Sequence, residues 1–173
     1  PNLKENEILI SLVIPVLYSQ FYVFIELLKK LKDNVNYVFE IIAIVNHSCE
    51  KISSKDLVEL DNITKGKIRI IQCKESLFPG ASRNIGIEEA KGNYIAFLDV
   101  NTLPASNWLK KSIGLISSEK KSLLGKTQYI YTNNFEKSFI SATFGFKPLY
   151  TIPGSLIKKD LFYKVGNFIP SIR

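Results

Sequence analysis

Residues 8–14, 39–45 and 94–98 are apolar runs, and residues 67–72 read as a further, shorter strand. The last run, Tyr-Ile-Ala-Phe-Leu, has no polar alternation, the pattern of a strand covered on both faces. Between the runs the spacing turns helical. Phe21, Phe24, Leu27, Leu28 and Leu31 recur at helix period within residues 18–31, with Lys29, Lys30 and Lys32 at the end where cations complement the helix dipole. Ser54 predicts the cap of a second helix running to about residue 63. A third begins near Gly80 and stops at Gly92, a C-terminal signal. The first strand is expected to end at Pro15 and the second to lead into the polar loop 46–50. Strand and helix alternating four strands deep predict an α/β fold with a parallel sheet and right-handed crossovers. Past Pro104 the pattern loosens. Ser106 or Asn107 caps a helix through residue 116, and residues 123–132 alternate like a half-exposed strand. Residues 134–143 fit either helix or strand. Strand character over 150–158 is broken by Pro153-Gly154, and a short helix over 160–165 is stopped by Gly166.

Residues 80–104 hold the densest chemistry. The strand over 94–98 stops at Asp99, and an acid at the carboxyl end of a central parallel strand faces the crevice where open α/β sheets bind ligands. Arg83 and Asn84 fall in or near the first turn of the preceding helix, and a helix N-terminus with an added guanidinium attracts phosphate. Read without further context, Asp99 and Asn101 equally suit a polar turn, and Pro15 and Leu17 equally suit loop shaping.

With 173 residues the chain predicts one domain, long enough to bury about 70% of its unfolded surface. The net charge of +7 favours an anionic partner, whether nucleotide, nucleic acid or lipid headgroup. No RNA-recognition signature, zinc finger or arginine-rich tract is present, so nucleic acid is not expected. No apolar run approaches the roughly 20 residues that span a bilayer, and no basic region precedes an apolar one at the start, so a cytoplasmic protein is expected. Cys49 and Cys73 make no disulfide framework and are expected as free thiols. The single histidine, His47, cannot support a histidine-rich metal site. The stretch after the first strand, Pro-Val-Leu-Tyr-Ser-Gln, lacks glycine, which excludes the dinucleotide fingerprint and the phosphate-cradling P-loop. The absence of Gly-x-Ser-x-Gly, with one histidine, argues against a hydrolase triad.

Four blocks resemble the family 2 glycosyltransferases of the GT-A fold: Ser-Leu-Val-Ile-Pro-Val from Ser11, residues 40–50, Gly80-Ala-Ser-Arg-Asn-Ile-Gly86 with residues 90–99, and residues 154–168. The resemblance spans nearly the whole chain. It implies a Rossmann-type three-layer domain with a mostly parallel sheet, residues 1–104 forming the nucleotide half and 105–173 an acceptor-side portion that is C-terminally incomplete. It implies transfer of a sugar, with inversion, from a nucleoside diphosphate sugar (a UDP-sugar) to a glycan or lipid-linked acceptor hydroxyl, as in bacterial surface polysaccharide synthesis. A peripheral position at the inner face of the membrane goes with such acceptors. Pro15, Leu17, Asn46, Ser48, Gly80, Arg83, Asn84 and Asp99 are the donor-binding positions so implied. The family's Asp-x-Asp motif reads Asp99-Val100-Asn101 here, which implies a Mn²⁺ or Mg²⁺ site at Asp99 and Asn101, weakened because an amide carries no charge. Val45 stands where many members have an acid near the base. The catalytic base, an acidic pair some residues after Gly-x-Phe, is expected beyond Arg173, so that this chain alone is expected to be inactive. Asn101 and Val45 keep a second reading open, a non-catalytic nucleotide- or glycan-binding module of the same fold.

Overall fold

A computed structural model describes residues 8–48, 50–117, 119–131, 133–143 and 147–171. Its six strands are β1 (Ile10–Leu17), β2 (Glu40–Asn46), β3 (Ile68–Gln72), β4 (Tyr94–Phe97), β5 (Ser122–Thr127) and β6 (Leu149–Lys158). The helices are α1 (Phe21–Lys30), α2 (Lys32–Val35), α3 (Ser54–Thr64), α4 (Pro79–Glu89), α5 (Trp108–Leu115), α6 (Asn134–Thr143) and α7 (Asp160–Val165). One sheet runs β3-β2-β1-β4-β6-β5. Its first four strands are parallel, and β6 and β5 join antiparallel.

The unbroken apolar runs are explained by cover on both faces. Ile10, Leu12, Ile14 and Val16 of β1 and Ile41, Ala43 and Val45 of β2 pack with Phe24, Leu28, Leu60 and Leu109 from α1, α3 and α5. The alternate positions Val13, Ile42, Ile44, Ile95 and Phe97 pack with Ile87 of α4 and Phe162 of α7. The result is the expected three-layer α/β architecture.

Several boundaries differ from expectation, each for a local reason. β1 runs through Pro15, in register with Ile44, to Leu17. Pairing with β4 ends at Val13, whose carbonyl accepts from the Leu98 amide. In a parallel strand alternate residues bond to the same neighbour, so Pro15 turns its missing donor to a side where β4 has already ended. The helix expected from residue 18 opens with a 3-10 turn over Tyr18–Gln20. Ser53, not Ser54, caps α3, its Oγ accepting from the Asp56 amide at 3.1 Å. The strand expected over 123–132 is only Ser122–Thr127, and the ambiguous segment is helix α6. β6 carries on through Pro153-Gly154 because its register with β5 slips between Leu123 and Gly125. Gly154, at φ 85°, takes the left-handed bend, and any side chain at Gly125 would meet the Pro153 carbonyl at 1.9 Å.

A buried polar knot fixes the lower end of α4. Glu40 Oε1 accepts from Ser11 Oγ at 2.7 Å and from the Lys91 amide at 2.6 Å, while Ser11 Oγ accepts from the Gly92 amide at 2.9 Å. Arg69 pairs with both Glu40 and Glu89. Halfway along, Gly86 lies directly on Val13, where a Cβ would come within 2.3 Å of Val13 Cγ1. Helix α4 is therefore seated closely on β1, with its N-terminus at the carboxyl ends of the strands.

Candidate functional site

The block Gly80–Gly86 forms most of α4, and nearly every residue in it has a distinct contact. Pro79 occupies the first turn, where its missing N–H costs nothing, and Phe78 at the N-cap gives no side-chain hydrogen bond to the helix. Ser82 Oγ accepts from Asn46 Nδ2 at 2.7 Å, tying the helix to the end of β2. Arg83, in the second turn, crosses to the end of β4, where its Nη2 donates to Asp99 Oδ1 at 2.6 Å. The two side chains differ in exposure: Arg83 is 11% exposed and Asp99 42%. The pair thus has a sealed side against the sheet and an open side at the carboxylate.

Phe168 forms the floor beneath Arg83. Its ring lies 5.8 Å from the guanidinium carbon and is wedged edge-on against Phe97 at 5.6 Å, with Phe162 at 5.9 Å. Such stacking contributes about 0.5–1 kcal/mol at exposed sites and more when desolvated. A buried guanidinium carries five fork-shaped donors suited to phosphate, and among the described residues Asp99 is its hydrogen-bond acceptor. Arg83 Nε is buried with no acceptor among the described residues. The arrangement is a fixed cation with donors to spare, beside one carboxylate, at the strand ends.

The other predicted positions divide. Asn46 is buried, its Nδ2 given to Ser82 and its Oδ1 without a partner among the described residues. Ser48 is buried in the loop that follows β2, accepting from Gln72 Nε2 at 2.6 Å and donating to the Glu50 carbonyl at 2.9 Å. His47, at φ 54°, makes the tight exit from β2. Leu17 is 42% exposed at the end of β1, and Pro15 is half-buried beside it. Asn84 is engaged with Phe168: Nδ2 donates to its carbonyl at 2.8 Å and Oδ1 accepts its amide at 2.9 Å. Gly80 underlies Ile169, whose carbonyl stands 2.7 Å from where a Cβ would be. Cys73 is a free, half-buried thiol, pushed above its ordinary pKa by burial and by Glu75. Cys49 lies outside the described residues.

Two contributors escaped sequence reading. Ser82 and Phe168 lie inside the matching blocks, Phe168 as the aromatic of Gly-x-Phe, but carry no charge to single them out. The available signal was the spacing 80, 83, 84, which puts Gly80, Arg83 and Asn84 on one helical face.

The donors at the expected cation position are hard oxygens of the kind Mg²⁺ and Mn²⁺ take. Asp99 brings one carboxylate, with Oδ1 committed to Arg83, and Asn101 follows on an exposed turn closed by the Thr102 amide to the Asp99 carbonyl at 2.9 Å. Among the described residues no three His, Cys, Asp or Glu side chains cluster. The set fits a cation held chiefly by its ligand's own oxygens. No described helix is long and apolar enough to cross a membrane.

Comparison with known proteins places this geometry in context. A family profile described as Glycosyl transferase family 2 matches residues 11–173. An uncharacterised glycosyltransferase of Rickettsia conorii is 39% identical over 99 residues, 57% of this chain and 15% of its own length. Another, from Rickettsia felis, is 32% identical over 138 residues, 79% of this chain and 22% of its own. The chain thus spans well under half the length of these relatives. Among solved structures, S. aureus TarS 1-349 in complex with UDP-GlcNAc superimposes with TM-score 0.60 at 18% identity, over 94% of this chain and 48% of that one. The mannosyltransferase PcManGT of Pyrobaculum calidifontis, in complex with GDP-Man and Mn²⁺, gives 0.57 at 13%, with the same coverage. At these identities the structural likeness speaks for the fold.

Proposed function

The chain belongs to glycosyl transferase family 2, and from that premise we propose that it takes a UDP-sugar as donor and delivers the sugar, with inversion, to a glycan or lipid-linked acceptor hydroxyl in bacterial surface polysaccharide synthesis. The observation that carries the reading is the Arg83 guanidinium, buried against Asp99 where β1 and β4 end. As the glycosidic bond breaks, the diphosphate leaving group gathers negative charge. A cation already fixed in a poorly solvated place stabilises that charge without reorganising. Asp99 and Asn101 would hold the divalent cation, which would neutralise part of the diphosphate charge. TarS with UDP-GlcNAc and PcManGT with GDP-Man share this fold, which supports a nucleoside diphosphate sugar as donor; UDP is the base we propose. Asn46 at the end of β2 and Ser48 in the loop after it, both buried, would border the nucleoside, with Pro15 and Leu17 on its other side.

The test is isothermal calorimetry with UDP, with and without Mn²⁺. Binding that depends only weakly on Mn²⁺ is expected. No heat of binding in either condition would overturn the reading. Asn101 in place of a second acid, and the wholly buried Val45, favour a second reading, a nucleotide- or glycan-binding module without catalysis. Turnover of a UDP-sugar by the full chain would decide against that alternative, whereas UDP binding without turnover is what both readings expect of this chain alone.

A further inference from the structure

We infer that Asn84 is a positioning residue for the donor site: its amide clasps the peptide of Phe168, and through the Phe168 ring holds the Arg83 guanidinium against Asp99. The inference rests on the reading of Arg83 and Asp99 as the diphosphate site. Three contacts on one face of α4 carry it. Gly80, lacking a Cβ, lets the Ile169 carbonyl approach to where any larger residue would collide, at 2.7 Å. Asn84 then meets the neighbouring peptide with both ends of its side chain, at 2.8 and 2.9 Å, the full hydrogen-bonding complement of one backbone unit. Between them Arg83 lies over the Phe168 ring.

The segment so clasped is otherwise weakly held. Gly166, at φ 95°, breaks away from α7, residues 166–169 form no helix or strand, and Asn167 and Ile169 are exposed. Without Asn84 the Phe168 peptide would lose both of these side-chain hydrogen bonds, and the ring would be steadied by apolar packing, chiefly on Phe97 and Phe162. Arg83 has a long side chain with several free torsions. A rigid floor removes most of the rotamers that would turn it from Asp99, so less entropy is lost when a diphosphate arrives. Asn84 thus acts through the Phe168 peptide, to which both of its polar atoms are bonded.

A double-mutant cycle in the full chain tests this, with UDP affinity measured by calorimetry. Arg83→Ala is expected to weaken UDP binding by about 30-fold or more, as for loss of a charged hydrogen-bonding partner. Asn84→Ala is expected to weaken it by about 5–10-fold with the thermal unfolding transition retained, and to add almost nothing in the Arg83→Ala background. Hydrogen exchange of the Phe168 amide should rise in Asn84→Ala. Unchanged UDP affinity in Asn84→Ala, or a loss that adds in full to that of Arg83→Ala, would overturn the inference while leaving the donor site intact. If wild type binds no UDP, the functional reading falls and this inference with it.

Discussion

Replacing Gly86 by alanine adds one methyl group at the point where α4 lies on the central strand, and the structure sets its cost. The new Cβ would stand 2.3 Å from Val13 Cγ1, 2.9 Å from Cγ2 and 3.2 Å from Cβ. Carbon atoms settle at about 3.5–4.0 Å, so about 1 Å of movement is required. Val13 cannot supply it: it is fully buried, β-branched, and in register with Ile42 on one side and Phe97 on the other. The helix must therefore lift, which also draws Arg83 away from Asp99. Overpacking of this kind costs about 1–3 kcal/mol, and the close contact argues for the upper end. Alanine returns about 1 kcal/mol as the better helix former. A net loss of about 2 kcal/mol follows, roughly 4–8 °C in melting temperature for a domain of this size. Urea unfolding followed by the fluorescence of Trp108, the one tryptophan, measures it. Val13→Ala alone should cost about 2 kcal/mol for its lost buried carbons. Combined with Gly86→Ala it should make room for the methyl group, so that the pair is less destabilised than the sum by about 1–2 kcal/mol. A Gly86→Ala protein as stable as wild type, or two effects that simply add, would refute the close approach of α4 to β1.

Two further outcomes are expected. Asn101→Asp should restore a charged second donor and raise Mn²⁺-dependent UDP affinity by about tenfold, seen by titration at fixed UDP; an unchanged affinity would remove Asn101 from the cation site. Tyr94→Phe should leave stability at pH 7 unchanged or higher by up to about 1 kcal/mol, since the Tyr94 hydroxyl is buried with no hydrogen-bond partner among the described residues. Burial, and then Asp160, raise the Tyr94 pKa above its ordinary value. Because the folded value lies above the unfolded one, its contribution is complete below about pH 10 and is lost as pH rises through the folded pKa. The alkaline fall in melting temperature should therefore be steeper in wild type than in Tyr94→Phe.

The sequence by itself determined the layers. Uninterrupted apolar runs require cover on both faces, a local demand that names the buried strands β1, β2 and β4 whatever surrounds them; half-buried β3, with Arg69 in it, follows from the alternation of strand and helix. Asp99 and Arg83 were legible for the same reason, one at the end of a run and the other near the start of a helix. Only the tertiary structure decided what Asn84 and Gly80 do. Their partners, Phe168 and Ile169, lie more than eighty residues away in the chain, and no periodicity within a helix reports which peptide will be laid across it. The same holds for Pro153-Gly154, where the sequence shows a break and the sheet absorbs it by slipping register against β5. Local propensity writes the elements because it depends on neighbours along the chain. The site depends on neighbours across space, and these exist only once α4 has settled on β1 and the segment after α7 has closed over it.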